Sequence, residues 1–102
     1  MKKLLLLAAI SLLGCTKEND SVIVTNLSGT DWHETQVWYG QSEKELEGYS
    51  EVGTVRIGQS CMVETDCGMV YIYAKDSRGR VVMSKPKDAT SGSVTIKESD
   101  LY

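Results

Sequence analysis

Few residues of this sequence have the chemistry that catalysis needs, and their spacing fits no arrangement of nucleophile and base. His33 is the only histidine, with Asp31 and Glu34 beside it, and no serine lies in a G-x-S-x-G context. Hydrolysis needs a nucleophile, a base and a group that orients the base. Because adjacent residues of a strand point to opposite faces, we expect His33 and Glu34 to diverge. The sequence therefore predicts no catalytic residue and no enzymatic activity.

Four glutamates crowd one short segment and offer the oxygen ligands that Ca²⁺ prefers. They are Glu43, Glu45, Glu47 and Glu51. The segment lacks the spaced acids and the glycine of an EF-hand loop, so we interpret it as a solvated acidic loop. Zinc would need several nitrogen or sulfur ligands, and the chain has a single histidine. We expect neither a metal nor a cofactor.

The aromatic residues are the most suggestive group, because the five tyrosines and two tryptophans all carry a polar atom and phenylalanine is absent. Such residues suit half-exposed binding faces as well as cores. Strand alternation places Trp38, Tyr71 and Tyr73 on the face opposite the aliphatic one. That strip would bind a protein, a peptide or a glycan by stacking and burial. The alternative is that the loop over residues 41–51 covers this face.

The elements that position these residues are short alternating strands. They are predicted over residues 21–26, 36–39, 53–57, 61–64, 69–75, 80–85 and 93–97. A hairpin turn is expected at 76–79, and residues 41–51 are expected to form a polar loop with a single helical turn at most. About seven strands with this spacing indicate an all-β fold, a small antiparallel β-sandwich.

The core of this sandwich follows from the same alternation. The inward-facing residues are predicted to be Val24, Val37, Val55, Ile57, Val63, Val70, Ile72, Val94 and Ile96.

The opening segment carries a targeting pattern. Lys2 and Lys3 precede a mostly apolar run over residues 4–13, which is too short for the roughly 20 residues of a membrane-spanning helix. The run ends in Leu-Leu-Gly-Cys at residues 12–15, which resembles the lipobox of bacterial lipoproteins. The resemblance implies that residues 1–14 are a signal peptide, expected to be helical, and that Cys15 is acylated. Residues 15–20 then form the tether, and residues 21–102 form the β-sandwich domain.

Export would expose the other two cysteines to an oxidising compartment. Cys61 and Cys67 are six residues apart, which is not the C-x-x-C spacing of redox enzymes. We interpret them as a disulfide across the turn between two consecutive strands. Two buried free thiols are the alternative.

The chain also resembles small uncharacterised Bacteroidetes-type lipoproteins. The matching phrases are V-W-Y-G, V-G-T-V-x-I-G and V-Y-I-Y-A-K-D-S-x-G-R. The resemblance implies an immunoglobulin-like or transthyretin-like sandwich with no catalytic residues. It also implies a lipid anchor through Cys15 in the cell envelope, at the outer membrane, on either its periplasmic or its surface side.

Charge and composition narrow the class of partner. The first 14 residues carry two of the eleven lysines and arginines and none of the fourteen acids, so the remaining 88 have a net charge of −5. This acidity argues against nucleic acid as a partner. Besides membrane lipid, the partner is an unidentified protein, peptide or glycan. We therefore expect a non-catalytic binding or accessory module, and the alternative is an inhibitor of a secreted hydrolase.

Overall fold

The computed structural model describes residues 20–102, which form an all-β sandwich, as predicted. The strands are β1 (Ser21–Leu27), β2 (Trp32–Ser42), β3 (Glu45–Val55), β4 (Ser60–Glu64), β5 (Met69–Lys75), β6 (Val81–Met83), β7 (Lys87–Asp88) and β8 (Ser93–Lys97). A 3₁₀ turn over Glu98–Asp100 follows β8. The predicted signal peptide and the lipidated Cys15 lie outside the described residues. Among the residues described, no helix has the length and apolar character needed to cross a membrane.

The eight strands form two sheets. The smaller sheet has the order β4-β1-β8, and the larger has the order β3-β2-β5-β6, with β7 also paired to β5. The chain alternates between the sheets, so strands that follow one another in sequence often lie in different layers. One detail of the prediction is wrong, because β1 and β8 run parallel, with Val24 opposite Val94, and the sandwich is not wholly antiparallel.

The core lies between the sheets and is built from the inward residues of both. Every predicted core residue is buried except Ile57, whose side chain is 54 % exposed. Ile57 was assigned to a strand, but β3 ends at Val55 and Ile57 lies in the turn that follows, where its N–H donates to Asp31 Oδ1 at 2.9 Å. Trp32 is the largest fully buried side chain, and the sequence pattern did not place it in the core.

A cluster of hydrogen-bonded side chains stabilises the connection between β1 and β2 inside this core. The fully buried Asn26 donates from Nδ2 to the carbonyls of Thr30 and Val55, each at 2.9 Å. Its Oδ1 accepts the backbone N–H of Ser28 at 3.0 Å and the Ser28 hydroxyl at 2.7 Å. Trp32 Nε1 donates to the same hydroxyl at 3.0 Å. One side chain thus joins β1 to the end of β3 in the other sheet.

The acidic segment over 41–51 is part of a hairpin, so its assignment to a polar loop with a helical turn was wrong. β2 continues to Ser42, and β3 begins at Glu45 after a two-residue turn. The strands come unusually close beside Gly40, where a Cβ atom would collide with the backbone of Glu45 and Leu46. Since β3 is the outermost strand, its glutamates remain in solvent while the backbone pairs with β2.

The predicted disulfide between Cys61 and Cys67 is also wrong, because Cys61 is a free thiol. The prediction assumed a hairpin between β4 and β5, but these strands lie in different sheets. Cys61 is opposite Val24 on β1. Cys67 lies buried in the crossing that follows β4, where its N–H donates to Thr65 Oγ1 at 3.1 Å.

Candidate binding face

The outer face of the larger sheet carries three aromatic rings side by side, which we call the aromatic row: Tyr49, Trp38 and Tyr71. Trp38 on β2 is the direct cross-strand partner of Tyr49 on β3 and of Tyr71 on β5. The ring centroids of Trp38 and Tyr49 are 4.6 Å apart with an interplanar angle of 27°. Those of Trp38 and Tyr71 are 6.1 Å apart at 4°. Cross-strand aromatic pairs of this kind stabilise a sheet.

Stacking reduces the area of aromatic ring surface that the aromatic row exposes to a ligand. Tyr49 and Tyr71 come from strands on opposite sides of β2, so each occupies one face of the Trp38 ring. Burial raises the pKa of the Tyr71 phenol above its ordinary value, which agrees with its packed position. Tyr49 is 44 % exposed and Tyr73 is 38 % exposed. The solvent-facing aromatic surface is therefore concentrated at Tyr49 and Tyr73.

Of the three predicted face residues, Trp38 and Tyr71 stack directly, and Tyr73 lies in the next row. Tyr73 is paired with Gln36 on β2 and with Met83 on β6. Tyr49 was missed, because it fell within the predicted polar loop. Alternation continued back from the buried Val55 would have put Tyr49 on the inner face, and the pairing irregularities near Thr35 are what bring it to the outer face. The 41–51 segment extends the sheet and does not cover the aromatic row.

Gln36 joins the aromatic row to a groove beside it. Trp38 Nε1 donates to Gln36 Oε1 at 3.1 Å, and the two side chains lie on the same face because they are two residues apart on β2. This bond orients the Gln36 amide and leaves its NH₂ group for other partners. Gln36 itself lines the groove.

The groove results from a bulge in β2. His33 is paired with Lys75, and Gln36 is paired with Tyr73. The chain therefore advances three residues on β2 where it advances only two on β5. The extra residue leaves Glu34 with a φ of 51°, a left-handed conformation that a glutamate rarely adopts. Such strain costs about 1–3 kcal/mol and is found most often at functional sites. Bulges also occur preferentially beside binding sites.

The groove has a volume of about 440 Å³. The side chains that matter to its chemistry are Glu34, Gln36, Glu51, Tyr73 and Lys75. They provide carboxylates, an amide, an ammonium group and a phenol. The Glu34 and Lys75 side chains are 3.7 Å apart and exposed, so their ion pair is weak.

Thr35, next to Gln36 but on the same face of β2 as the core residue Val37, has a hydroxyl that lacks a protein partner. It is fully buried, and its Oγ1 is the single buried side-chain nitrogen or oxygen without a hydrogen bond within residues 20–102. An unsatisfied buried hydroxyl costs about 1–3 kcal/mol, so native proteins seldom keep one without a reason.

The residues considered for catalysis are not brought together. His33 is half-buried on β2 beside the bulge, whereas the Asp31 carboxylate accepts the backbone N–H of Ile57. The glutamates of β3 are exposed. Over the described range, no group of three or more histidines, cysteines, aspartates or glutamates is placed to hold a metal ion.

A comparison of the chain with protein-family models, with curated proteins and with solved structures finds no match. The aromatic row and the groove are therefore the features of the chain that indicate a function.

Proposed function

We propose that the chain is a lipid-anchored, non-catalytic binding module of the cell envelope that acts through the outer face of its larger sheet. The observation that carries the proposal is the aromatic row, with Tyr73 beside it, on a sheet face that no other described element covers. Apolar surface of this kind on a small domain marks an interaction site. The grooved shape of the face favours a binding module.

The position of the tether supports this orientation. The lipobox pattern assigns the anchor to Cys15, and β1 begins at Ser21, only six residues later. β1 is the central strand of the smaller sheet. The anchor would thus attach to the sheet without the aromatic row, and the row would lie on the opposite side of the sandwich.

The binding face is tested by photo-crosslinking of the full chain in its organism of origin. A photoreactive phenylalanine replaces Tyr49 in one variant and Met62 in the control. Met62 is 63 % exposed on the outer face of the smaller sheet, with Ile23 as its cross-strand partner. We expect covalent adducts, detected by mass, from position 49 and not from position 62. Adducts from neither position, or equal adducts from both, would contradict the proposed face.

The anchor has a separate test. Cys15→Ser should abolish lipid labelling and move the protein from the membrane fraction to the soluble fraction. Unchanged labelling would show that Cys15 is not the lipidated residue. Cys61→Ser is the matched control, since Cys61 lies within the folded sandwich and should not affect labelling.

One observation keeps inhibition of a secreted hydrolase as a second candidate function. An inhibitor needs an exposed loop that is held rigid, and the β5–β6 turn, predicted at residues 76–79, is one. Asp76 Oδ1 accepts the N–H groups of Arg78 and Arg80, each at 2.9 Å, and Oδ2 contacts Arg80 Nε at 3.0 Å. These bonds lower the pKa of Asp76 and leave Arg78 exposed. Inhibition of trypsin by the chain, lost in Arg78→Ala and kept in Arg56→Ala, would support this candidate.

A further inference from the structure

We infer that the groove formed by the β2 bulge is a binding site for a saccharide, with Tyr73 as the wall against which a sugar ring stacks. The inference rests on the proposed binding function and narrows it to one class of ligand. It depends on the strands that border the groove, on the chemistry of its lining and on the position of Tyr73.

The position of the groove excludes a peptide bound by strand addition. That mode needs an unpaired strand edge. The groove lies over the face of β3, β2 and β5, and β2 at its centre is paired on both sides within the order β3-β2-β5-β6. A folded protein partner needs roughly 800 Å² of surface on each side. A groove of about 440 Å³ instead has the size of a small-molecule pocket, roughly 300–1,000 Å³.

The lining matches a ligand whose groups both donate and accept hydrogen bonds, as sugar hydroxyls do. Glu34 and Glu51 supply acceptors, Lys75 supplies donors, and the NH₂ group of Gln36 is oriented by its bond to Trp38.

The apolar part of the site is Tyr73. A sugar ring presents C–H groups on its faces, and aromatic rings are the side chains that these faces contact best. Trp38 is not available, because Tyr49 and Tyr71 stack on its two faces. Tyr73 is 38 % exposed, lines the groove, and lies opposite Gln36. Stacking on Tyr73 would therefore place a sugar within reach of the polar groups of the lining.

The experiment uses the full lipidated chain, purified in a detergent without a sugar headgroup. The probes are soluble oligosaccharides of glucose, mannose, galactose, xylose and N-acetylglucosamine, measured by calorimetry. We expect at least one to bind. Tyr73→Ala should weaken that binding roughly tenfold or more, a typical loss for a buried aromatic contact. Met62→Ala is the control, since it removes an exposed apolar side chain from the smaller sheet, away from the groove, and it should change the affinity less than about twofold.

Glu51→Ala separates a ligand-binding role from a structural one, because Glu51 lines the groove with an exposed side chain. The variant should melt close to the wild-type temperature and bind the oligosaccharide more weakly. Unchanged affinity in Glu51→Ala and Tyr73→Ala would overturn the site. Failure of every oligosaccharide to bind, or binding of spermidine or free amino acids in their place, would overturn the ligand class. Adducts from position 49 would still support the binding face in either case.

Discussion

Tyr49 on β3 lies against Trp38 on β2, with ring centroids 4.6 Å apart, and the two residues are direct cross-strand partners. The pair lies between two irregularities of the β2–β3 pairing, one at Thr35/Gln36 and one at Tyr39/Gly40. Regular pairing in this hairpin is thus confined to a few residues, and the stacked rings lie within it. We infer that the stack helps to fix the register of the hairpin.

The first prediction concerns this stack. In a double-mutant cycle with Tyr49→Ala and Trp38→Ala, measured by urea unfolding, we expect a coupling of about 0.5–1.5 kcal/mol. The control cycle pairs Tyr49→Ala with Val81→Ala, since Val81 is exposed on a strand that does not contact β3. That control should be additive within about 0.5 kcal/mol. Additivity of Tyr49 and Trp38 would show that the stacking contributes nothing.

The second prediction concerns Asn26. Asn26→Ala removes two bonds to backbone carbonyls and two to Ser28, so we expect a loss of about 3 kcal/mol in the free energy of unfolding. Small domains have only about 5–15 kcal/mol in total. Thr25→Ala is the control on the same strand, because its single side-chain bond, to Ser60, is exposed. It should cost less than about 1 kcal/mol, and an equal loss in both variants would contradict the role of Asn26.

Alternation of apolar and polar residues was enough to predict the strands that have a buried face. Met69–Lys75 and Ser93–Lys97 were predicted with the bounds that the structure shows, because a period of two assigns each residue to a face. The same argument placed Trp38 and Tyr71 on one outer face. It did not find most of β3, whose glutamates and glycines have low strand propensity and are held by pairing with β2.

The local pattern of apolar and polar residues does not indicate which distant strands pair with each other. The parallel β1–β8 pair joins residues some seventy positions apart, such as Val24 and Val94. The local pattern also does not indicate that β4 and β5 lie in different sheets. This separation is why the expected Cys61–Cys67 bridge is absent. The groove was missed because the bulge at Glu34 puts a glutamate where a glycine would have signalled the left-handed conformation.

The third prediction tests the strain at Glu34. Glycine adopts a φ of 51° freely, so Glu34→Gly should raise the free energy of unfolding by about 1 kcal/mol, despite the loss of the weak pair with Lys75. Glu47→Gly is the matched control, since Glu47 is an exposed glutamate inside β3. It should lower stability by about 0.5–1 kcal/mol. A similar loss in Glu34→Gly would show that its backbone is not strained.

The fourth prediction concerns acid stability and Asp100. Its carboxylate accepts the N–H of Lys97 at 2.8 Å and contacts Lys87 Nζ at 2.9 Å, and both interactions lower its pKa in the folded state. An unfolded aspartate has a pKa of about 3.9. The stabilisation is therefore complete above that pH and is lost as the pH falls through the lower pKa of the folded state.

Asp100→Asn should cost about 1 kcal/mol at pH 7 and should flatten the decline in stability below pH of about 4. Lys87→Met removes only the side-chain partner, so its effect should have the same sign and be smaller, since the bond from Lys97 remains. Urea unfolding at a series of pH values measures both. An Asp100→Asn variant that declines as steeply as the wild type would contradict the assignment.

The fifth prediction concerns the thiol of Cys61. Cys61 is half-buried on β4 opposite Val24, and burial raises the pKa of its thiol above the ordinary value. Because the thiolate is the reactive form, iodoacetamide should alkylate the folded protein slowly at pH 8. After unfolding in urea without reductant, Cys61 should react rapidly, and mass spectrometry of the peptide should show it modified. Cys61→Val should lack this label and retain the fold. If Cys61 became reactive only after reduction, it would be in a disulfide, and its assignment as a free thiol would be wrong.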